Sequence, residues 1–467
     1  MIGSYRSRMI LAFLVLVSLT RHSAEATGER TNIAGLGMGG TYVAASRGLN
    51  AVGLNPGTLA LPDEGTVSFS LIPFGIHMGS DVITYEMYNK YFTGIDTDSG
   101  RVARYLTDVE KQDILNRFED GVGRTMLDAE ALLFGLSLRV PKIGVFAFTV
   151  SEHIGAYLDI PQDYATFILH GNLPGRTLDF STFGARGLWT REYALSFGTV
   201  IPPMSILKTI TGGATLKLVR GYAYYEVDQF NTRLATANDG VLTGDVHFHS
   251  RLAGADLPDK GIGARYSLFP EAVGSGFGVD VGFAGVVNEM VTVGLSVTDI
   301  GSVVWNDHLE EMVIDTNIVV DDPLSTPQRD QIERTLKGER RPGQPFSRSL
   351  PTTLRMGAVL AVHKLPFFSG APGELIAAMD YTQGLVDVPG TTVRARVSLG
   401  VEYRFVPWLP IRGGVSLGGQ DHFNYAFGFG LNFGVFDLDL ASENADMLFN
   451  PNSFSRASVA VGMQFRI

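Results

Sequence analysis

The segment RASVAVGMQFRI, residues 456–467, decides the fold of this chain. Apolar residues occupy its odd positions from Ala457 to Ile467, and small or polar residues occupy its even positions from Arg456 to Arg466. This period of two predicts a β-strand with one apolar and one polar face. The strand would be long for a soluble protein but suits one that is tilted across a bilayer. A chain that ends on such a strand fits a barrel in which the last strand closes against the first.

Residues 393–405 and 422–433 repeat this alternation. One face of each is crowded with aromatic and aliphatic side chains, and the other carries arginine, asparagine, glycine or glutamate. Lipid outside and water in the lumen account for both faces, whereas a soluble lipocalin-like barrel has an apolar interior. A large soluble β-sandwich is the alternative. The residues that we predict to line the lumen are Arg394, Arg396, Glu402, Arg404, Asp437 and Asp439.

About fifteen segments after Thr66 have a strand pattern. Because bacterial transmembrane barrels favour even strand numbers, we predict an all-β fold, an antiparallel transmembrane barrel of about fourteen strands with long extracellular loops. Two segments break the pattern. A capping box at 107–110 predicts a short helix over 111–118, and Thr326-Pro327 predicts the start of another within a loop.

The N-terminus has the pattern of an export signal. Arg6 and Arg8 precede an apolar core over 9–19, and residues 24–26 (AEA) offer a cleavage site. We predict a signal peptide over residues 1–26, an N-terminal plug over 27–64 and a barrel over 65–467; an uncleaved anchor is the alternative to cleavage. The formal net charge of -11 argues against nucleic acid as a partner. The chain has no cysteine, which excludes disulfides and thiolate metal sites.

Residues 35–46 (GLGMGGTYVAAS) and 50–60 (NAVGLNPGTLA) form the most distinctive local motif. A dinucleotide-binding loop would follow a buried strand and lie in a βαβ unit, and neither pattern is present. The glycines are better explained by close packing of the backbone in a confined space.

This motif resembles the N-terminal region of the FadL-type superfamily of outer-membrane barrels. It also resembles PorV-like barrels of the type IX secretion system and a related group of unassigned function. The short capped helix before the second strand and residues 158–172 resemble that unassigned group most. Asn55-Pro56 matches the family turn, whereas Gly57-Thr58 replaces Ala-Gly. The chain also ends on Ile467, where such barrels usually end on Phe or Trp. The resemblance implies that residues 27–64 fold into the lumen as a hatch whose gating residues are Gly37, Gly39, Gly40, Asn55, Pro56 and Gly57.

Three further patterns carry chemistry. His247 and His249 would share one face of a strand and could be half a metal site. Asp437 and Asp439 could serve acid–base chemistry, but they fit a hydrated lumen, paired with the arginines of 394–404, better. Tyrosines such as Tyr222 and Tyr224, at presumed strand ends, predict an aromatic girdle at the membrane surface. We therefore predict no catalytic, cofactor or metal site, and no enzyme.

The resemblance also implies a function. We expect a barrel in the cell outer membrane of a Gram-negative envelope that passes a hydrophobic or amphipathic small molecule. Its partners would be outer-membrane lipid, the barrel-assembly machinery and that hydrophobic ligand. The alternative is a PorV-like barrel that transports nothing and serves as a scaffold or secretion-system partner.

Overall fold

The computed structural model describes residues 30–62, 65–98, 100–202, 207–254, 270–322, 326–368, 370–386, 388, 393–419, 423–445, 447 and 454–467. The predicted signal peptide and the first residues of the predicted plug lie outside this part of the chain.

The described residues are mostly extended. The strands are β1 (Val67–Ser80), β2 (Ile95–Thr97), β3 (Gly100–Val102), β4 (Val122–Val140), β5 (Gly144–Pro161), β6 (Thr177–Asp179), β7 (Gly184–Ile201), β8 (Thr209–Thr236), β9 (Leu242–Ala253), β10 (Gly274–Val286), β11 (Val291–Trp305), β12 (Leu309–Val320), β13 (Glu339–Pro342), β14 (Phe346–Ser349), β15 (Thr353–Ala361), β16 (Glu374–Gly384), β17 (Arg396–Arg404), β18 (Pro410–Gly418), β19 (Phe423–Asn432), β20 (Phe436–Ser442) and β21 (Arg456–Arg466).

Fourteen of these strands form a closed antiparallel barrel, so the predicted fold class is confirmed. The order around the ring is β1, β4, β5, β7, β8, β10, β11, β15 to β21 and back to β1. Closure is the pairing of the last strand with the first, from Ser68 opposite Arg466 to Gly79 opposite Arg456. A closed ring leaves no unpaired edge in its wall.

The alternation seen in the sequence sets the two faces of the wall. In β21 the exposed fraction is 46% for Val459 and 40% for Met463, but 5% for Ser458 and 2% for Ala460. The aromatic residues at odd positions of β19 are likewise exposed. The apolar residues thus face outward and the small and polar residues face inward. This is the sense that a lipid-embedded barrel needs, and the closed ring replaces the β-sandwich alternative.

Connections are short at one end of the barrel and long at the other. The end that holds Val67 and Arg466 carries short turns such as 141–143 and 433–435, and we name it the turn end. The opposite end, the loop end, carries the long connections. There the second half of β8 extends beyond the ring and pairs with β9. β9 pairs in turn with β12, and β12 pairs with β13, which forms a projecting sheet outside the ring.

Short helices occupy the remaining described segments. They are α1 (Ile33–Gly37), α2 (Tyr85–Tyr91), α3 (Asp108–Leu115), α4 (Gln162–His170), α5 (Thr326–Leu336) and 3-10 turns at Gly48–Ala51, Pro56–Ala60, Glu119–Gly121, Val362–Lys364 and Pro366–Phe368. Both predicted helices are present, and Thr107 and Glu110 form the predicted capping box of α3. The backbone N–H of Thr107 and the Arg104 guanidinium hold the pKa of Glu110 below its usual range. No helix in the described ranges has the length and apolar character needed to cross a bilayer.

Candidate functional site

The N-terminal segment, residues 30–61, crosses the interior of the ring. Its helix α1 packs against β18, β19, β20 and β21, while the turn Pro56–Ala60 packs against β7, β8 and β10 on the other side of the ring. Asn32 caps α1 by accepting a hydrogen bond from the Gly35 N–H at 2.9 Å. About three quarters of the residues in the segment are buried, and the others are half-buried. A short, loosely structured segment is held there by the wall, because it has no core of its own.

Glycines of this segment meet the wall at backbone distance. A Cβ atom on Gly37 would lie 3.0 Å from the Cα atom of Gly428 in β19. Gly39 and Gly40 have φ angles of +70° and +85°, and a side chain on Gly40 would overlap the Arg396 guanidinium. The left-handed backbone and the close approach both require glycine. The sequence motif thus meets the wall along β17, β18 and β19.

The Asn-Pro-Gly turn docks on β10. The Asn55 amide accepts from the Gly57 N–H at 3.0 Å and donates to the Phe283 carbonyl at 3.1 Å. A Cβ atom on Gly57 would lie 2.6 Å from the Cα and N atoms of Phe283. Pro56 begins the 3-10 turn, where its missing N–H costs nothing. Asparagine and glycine at these positions are therefore set by the contact with the wall.

Charged side chains also hold the segment. Asp380 of β16 accepts hydrogen bonds from the backbone N–H groups of Tyr42 and Val43 at 2.7 and 2.8 Å. Arg30 forms ion pairs with Asp128 at 3.1 Å and Glu443 at 2.7 Å. Ionised partners make these bonds stronger than neutral ones. The sequence analysis did not find Asp380 or Arg30, because both depend on pairings between residues far apart in the chain.

Four of the six predicted lumen-lining residues, Glu402, Arg404, Asp437 and Asp439, lie close together in a charged cluster at the turn end. Glu402 is buried and accepts from Arg404 at 2.8 Å and from Arg412 at 2.6 Å. Arg412 also bonds Asp439. The sequence analysis missed Arg412, although its alternation with Pro410 and Gly414 places it on the same inner face.

Two of the predicted pairings are corrected. Arg466 lies 2.7 Å from Asp437. The partners of the two aspartates are thus Arg466 and Arg412 rather than Arg394, Arg396 or Arg404. The register of β20 with its neighbours decides this, because Asp437 lies opposite Gln464, next to Arg466. Arg394 and Arg396 are half-buried near the start of β17, at the loop end.

A cavity runs lengthwise beside the N-terminal segment, with about 1440 Å³ of empty space including its open mouth. Its mouth, at the loop end, is lined by Leu188, Tyr224, Val303, Trp305 and Leu350. Its middle is lined by Glu130, His153, Glu192, Lys217 and Asp299. Its far part follows the seam between β1 and β21 and is lined by Ser70, Pro73, Gly462, Met463 and Gln464. We name these parts the mouth, the middle and the seam.

The mouth is apolar and aromatic. The ring centroids of Tyr224 and Trp305 lie 5.1 Å apart, and Phe346 stacks beyond them. Tyr224 is buried, so its predicted place in an outer girdle is wrong. A bulge between Gly221 and Ala223, opposite Trp189 and Thr190, shifts the register of β8 and turns Tyr224 inward.

The middle is charged, and a second bulge builds it. Val279 and Val281 of β10 enclose one residue, Asp280, whereas their partners in β11 enclose Thr298 and Asp299. Asp299 has a φ of +60° and donates its N–H to Asp280 at 2.7 Å. Both aspartates then face Lys217, whose Nζ atom lies 3.2 Å from Asp280.

At the seam the wall itself is irregular. Ile72 has a φ of +41° and Pro73 has no N–H, so β1 and β21 change register between Leu71 and Phe74. Met463 faces outward with 40% of its surface exposed and also lines the cavity. The cavity therefore borders the inner side of the wall at this bulge.

The two histidines lie outside this cavity, on the projecting sheet. His247 contacts Asp315 at 2.8 Å, and His249 contacts Asp228 at 2.8 Å and Glu311 at 3.6 Å. Among the described residues, no group of three or more histidine or acidic side chains has the arrangement of a metal site.

A family model described as "Family of unknown function (DUF5723)" matches residues 56–443. No curated protein matches the chain in sequence.

Solved structures match nearly the whole chain at low identity. The toluene transporter TbuX of Ralstonia pickettii is 13% identical, with 95% of this chain and 99% of that chain covered and a TM-score of 0.46. For the toluene transporter TodX of Pseudomonas putida the values are 11%, 95%, 98% and 0.47. For a FadL homologue of Pseudomonas aeruginosa they are 12%, 95%, 100% and 0.44. The predicted resemblance to FadL-type barrels is thus confirmed as a likeness of fold at low sequence identity.

Proposed function

This chain belongs to the family of unknown function DUF5723, and we propose that it is an outer-membrane barrel that passes a hydrophobic or amphipathic small molecule. One observation carries the proposal. The cavity is continuous from an aromatic mouth at the loop end, past the N-terminal segment, to the seam between β1 and β21. Ligand cavities of proteins have this mixture of apolar walls and a few placed polar groups. Toluene is a cargo of the same class, but the comparison with the toluene transporters is only an analogy of fold.

We assign the seam as the exit. The backbone at Ile72 and Pro73 is not paired with β4, because the register between these strands is unbroken only up to Ser70 and again from Phe74. Fewer hydrogen bonds hold the wall there than elsewhere along β1. An apolar molecule that reached Pro73 and Met463 from inside would meet lipid directly.

We assign the N-terminal segment as the hatch that separates the cavity from the rest of the lumen. Gly37, Gly39 and Gly40 let it lie against one side of the wall, and the turn Asn55–Gly57 fixes it to the other. Polar contacts hold the segment along its length, and two small apolar clusters join it to the wall around Leu36 and Leu59. Opening would require the segment to release these contacts together.

Uptake of the apolar dye N-phenyl-1-naphthylamine by cells that carry the chain tests this function. Ser151 lines the cavity, and its neighbour Val150 has the opposite orientation in β5. A tryptophan at Ser151 fills the cavity, so S151W should slow dye uptake at least threefold. V150W places the same ring on the outer face and should leave uptake unchanged. Equal uptake by S151W, V150W and the unaltered chain would exclude passage through this cavity.

The projecting sheet supports the second candidate, a scaffold that binds protein at the loop end. It lies outside the ring and carries ion pairs such as His247–Asp315 on an exposed face. A scaffold predicts that cells with and without the chain take up the dye at the same rate. Passage through the cavity predicts a difference between them.

A further inference from the structure

The charges of the cavity decide which head group an amphipathic molecule can carry. The argument rests on the proposed function, since it concerns the same cavity. The mouth is apolar and the middle is charged, so an elongated amphiphile is stabilised with its chain in the mouth and its head group in the middle. The sign of the charge in the middle then selects the head group.

Among the described residues that line the middle, Lys217 is the only permanent cation. Its Nζ atom lies 3.5 Å from Glu192 and 3.2 Å from Asp280, and it also bonds Asp299. Three carboxylates surround one ammonium group, which leaves a formal charge of minus two. Lys217 is therefore fully engaged and offers an incoming anion no free partner.

Glu130 adds a further carboxyl group to the middle. Its carboxylate accepts hydrogen bonds from the Arg30 backbone N–H at 3.1 Å and from the Thr31 hydroxyl at 3.5 Å. The Arg30 guanidinium is turned instead to Asp128 and Glu443. His153, the other titratable group of the middle, lies 3.4 Å from Asp128. Even a protonated His153 would be matched by Asp128 and would not reverse the sign of the charge.

The remaining cation of the lining lies at the mouth and is also engaged. Arg348 bonds Glu226 and lies 3.3 Å from Asp228. Asp439 of β20, which also lines the cavity, is paired with Arg412. Among the lining residues that the structure describes, each permanent positive charge that an anionic head group could use is thus already bonded to a carboxylate. The electric field of the excess carboxylates acts strongly in a narrow cavity, where little water screens it.

We propose that the cavity accepts amphiphiles with a cationic head group, such as long-chain amines and quaternary ammonium compounds, in preference to anionic ones such as fatty acids. The ammonium group lies among Glu130, Glu192 and Asp299. The alkyl chain lies along Leu188 and Trp305 at the mouth. The acidic middle repels the carboxylate head group of an amphiphile whose alkyl chain has the same length.

Two matched probes test the head group. The compounds 11-bromoundecyltrimethylammonium and 11-bromoundecanoate have the same chain and the same bromine, which quenches tryptophan fluorescence on contact. The purified chain in a non-ionic detergent is titrated at low salt, since salt would screen the effect. The W305F variant identifies the part of the quenching that arises in the mouth. We expect the ammonium probe to bind at least tenfold more tightly than the carboxylate.

Two variants test the assigned residues. E130Q and E192Q keep the side-chain shape and remove charge, so each should reduce the preference for the ammonium probe at least threefold. D315N, on the projecting sheet, is the matched control and should not change it. Migration of the unheated proteins in a gel with dodecyl sulfate reports that each barrel has folded.

The outcomes separate this inference from the proposed function. Equal or tighter binding of the carboxylate would overturn the head-group preference and leave passage of amphiphiles standing. A preference that survives both E130Q and E192Q would overturn the assignment to these residues. Quenching of Trp305 by neither probe would overturn the inference and the proposed function together.

Discussion

Gly57 shows how one residue joins the N-terminal segment to the barrel. Its Cα lies so close to β10 that an added Cβ atom would meet the Phe283 backbone at 2.6 Å. Backbone atoms of a closed barrel cannot move aside as a flexible side chain can. The requirement for glycine is therefore steric, and it comes from a strand more than two hundred residues away. The sequence motif predicted that glycine matters here but could not name the partner.

Replacing this glycine should loosen the turn. G57A should weaken docking by about 1–3 kcal/mol, the usual range for overpacking. Hydrogen exchange of the amides in 55–60 should then be roughly five- to a hundredfold faster, since about 1.4 kcal/mol corresponds to a tenfold change. G413A is the matched control, because no atom lies within 4 Å of a Cβ at Gly413. Equal exchange in both variants would show that the turn is not fixed by this contact.

At the scale of elements, alternation predicted the strands and failed at the bulges. It placed the outward residues of β17, β19 and β21 correctly, because a period of two maps directly onto the two faces of a wall. Each bulge adds a residue and reverses that assignment for the rest of the strand. Tyr224 and Asp299 reach the cavity for this reason. A single sequence contains no periodic signal for such an insertion, so the mouth and the middle were not found.

The residues that line the lumen also show what alternation within a single sequence can and cannot predict. The alternation predicted that Glu402, Asp437 and Asp439 face inward, and all three are at least half-buried and bonded to arginines. It could not predict which arginines, since that depends on the register between strands. Alternation within a strand is local, whereas pairing across strands is set by the closure of the ring.

The bulge of β1 provides a test of the exit. A Cβ atom built on Gly462 would lie 3.1 Å from the Cβ atom of Pro73. Disulfides need about 3.5–4.5 Å, so the two strands need to move apart only slightly for the bond to form. The chain has no cysteine of its own, so P73C combined with G462C gives one defined cross-link. Oxidation should reduce dye uptake at least threefold, and reduction should restore it. The single variants P73C and G462C, which cannot form this cross-link, are the controls. Uptake that does not depend on the redox state would place the exit elsewhere.

At the scale of the whole molecule, three features belong together. The outer face is apolar, the ring is closed, and the interior is occupied by a segment with little structure of its own. Lipid covers the first and the strand pairing secures the second. The third is held by polar contacts and by small apolar clusters that it shares with the wall, rather than by a core of its own. We propose that the barrel assembles with the segment in place and opens when the segment shifts.

Conductance across a planar lipid bilayer tests the central claim, that the N-terminal segment closes the lumen. The unaltered chain should conduct only in small, infrequent steps. A chain that lacks residues 33–60 should still fold as a barrel, which gel migration before and after heating reports, and should conduct in large, steady steps. A deletion variant that folds and conducts no more than the unaltered chain would contradict the account.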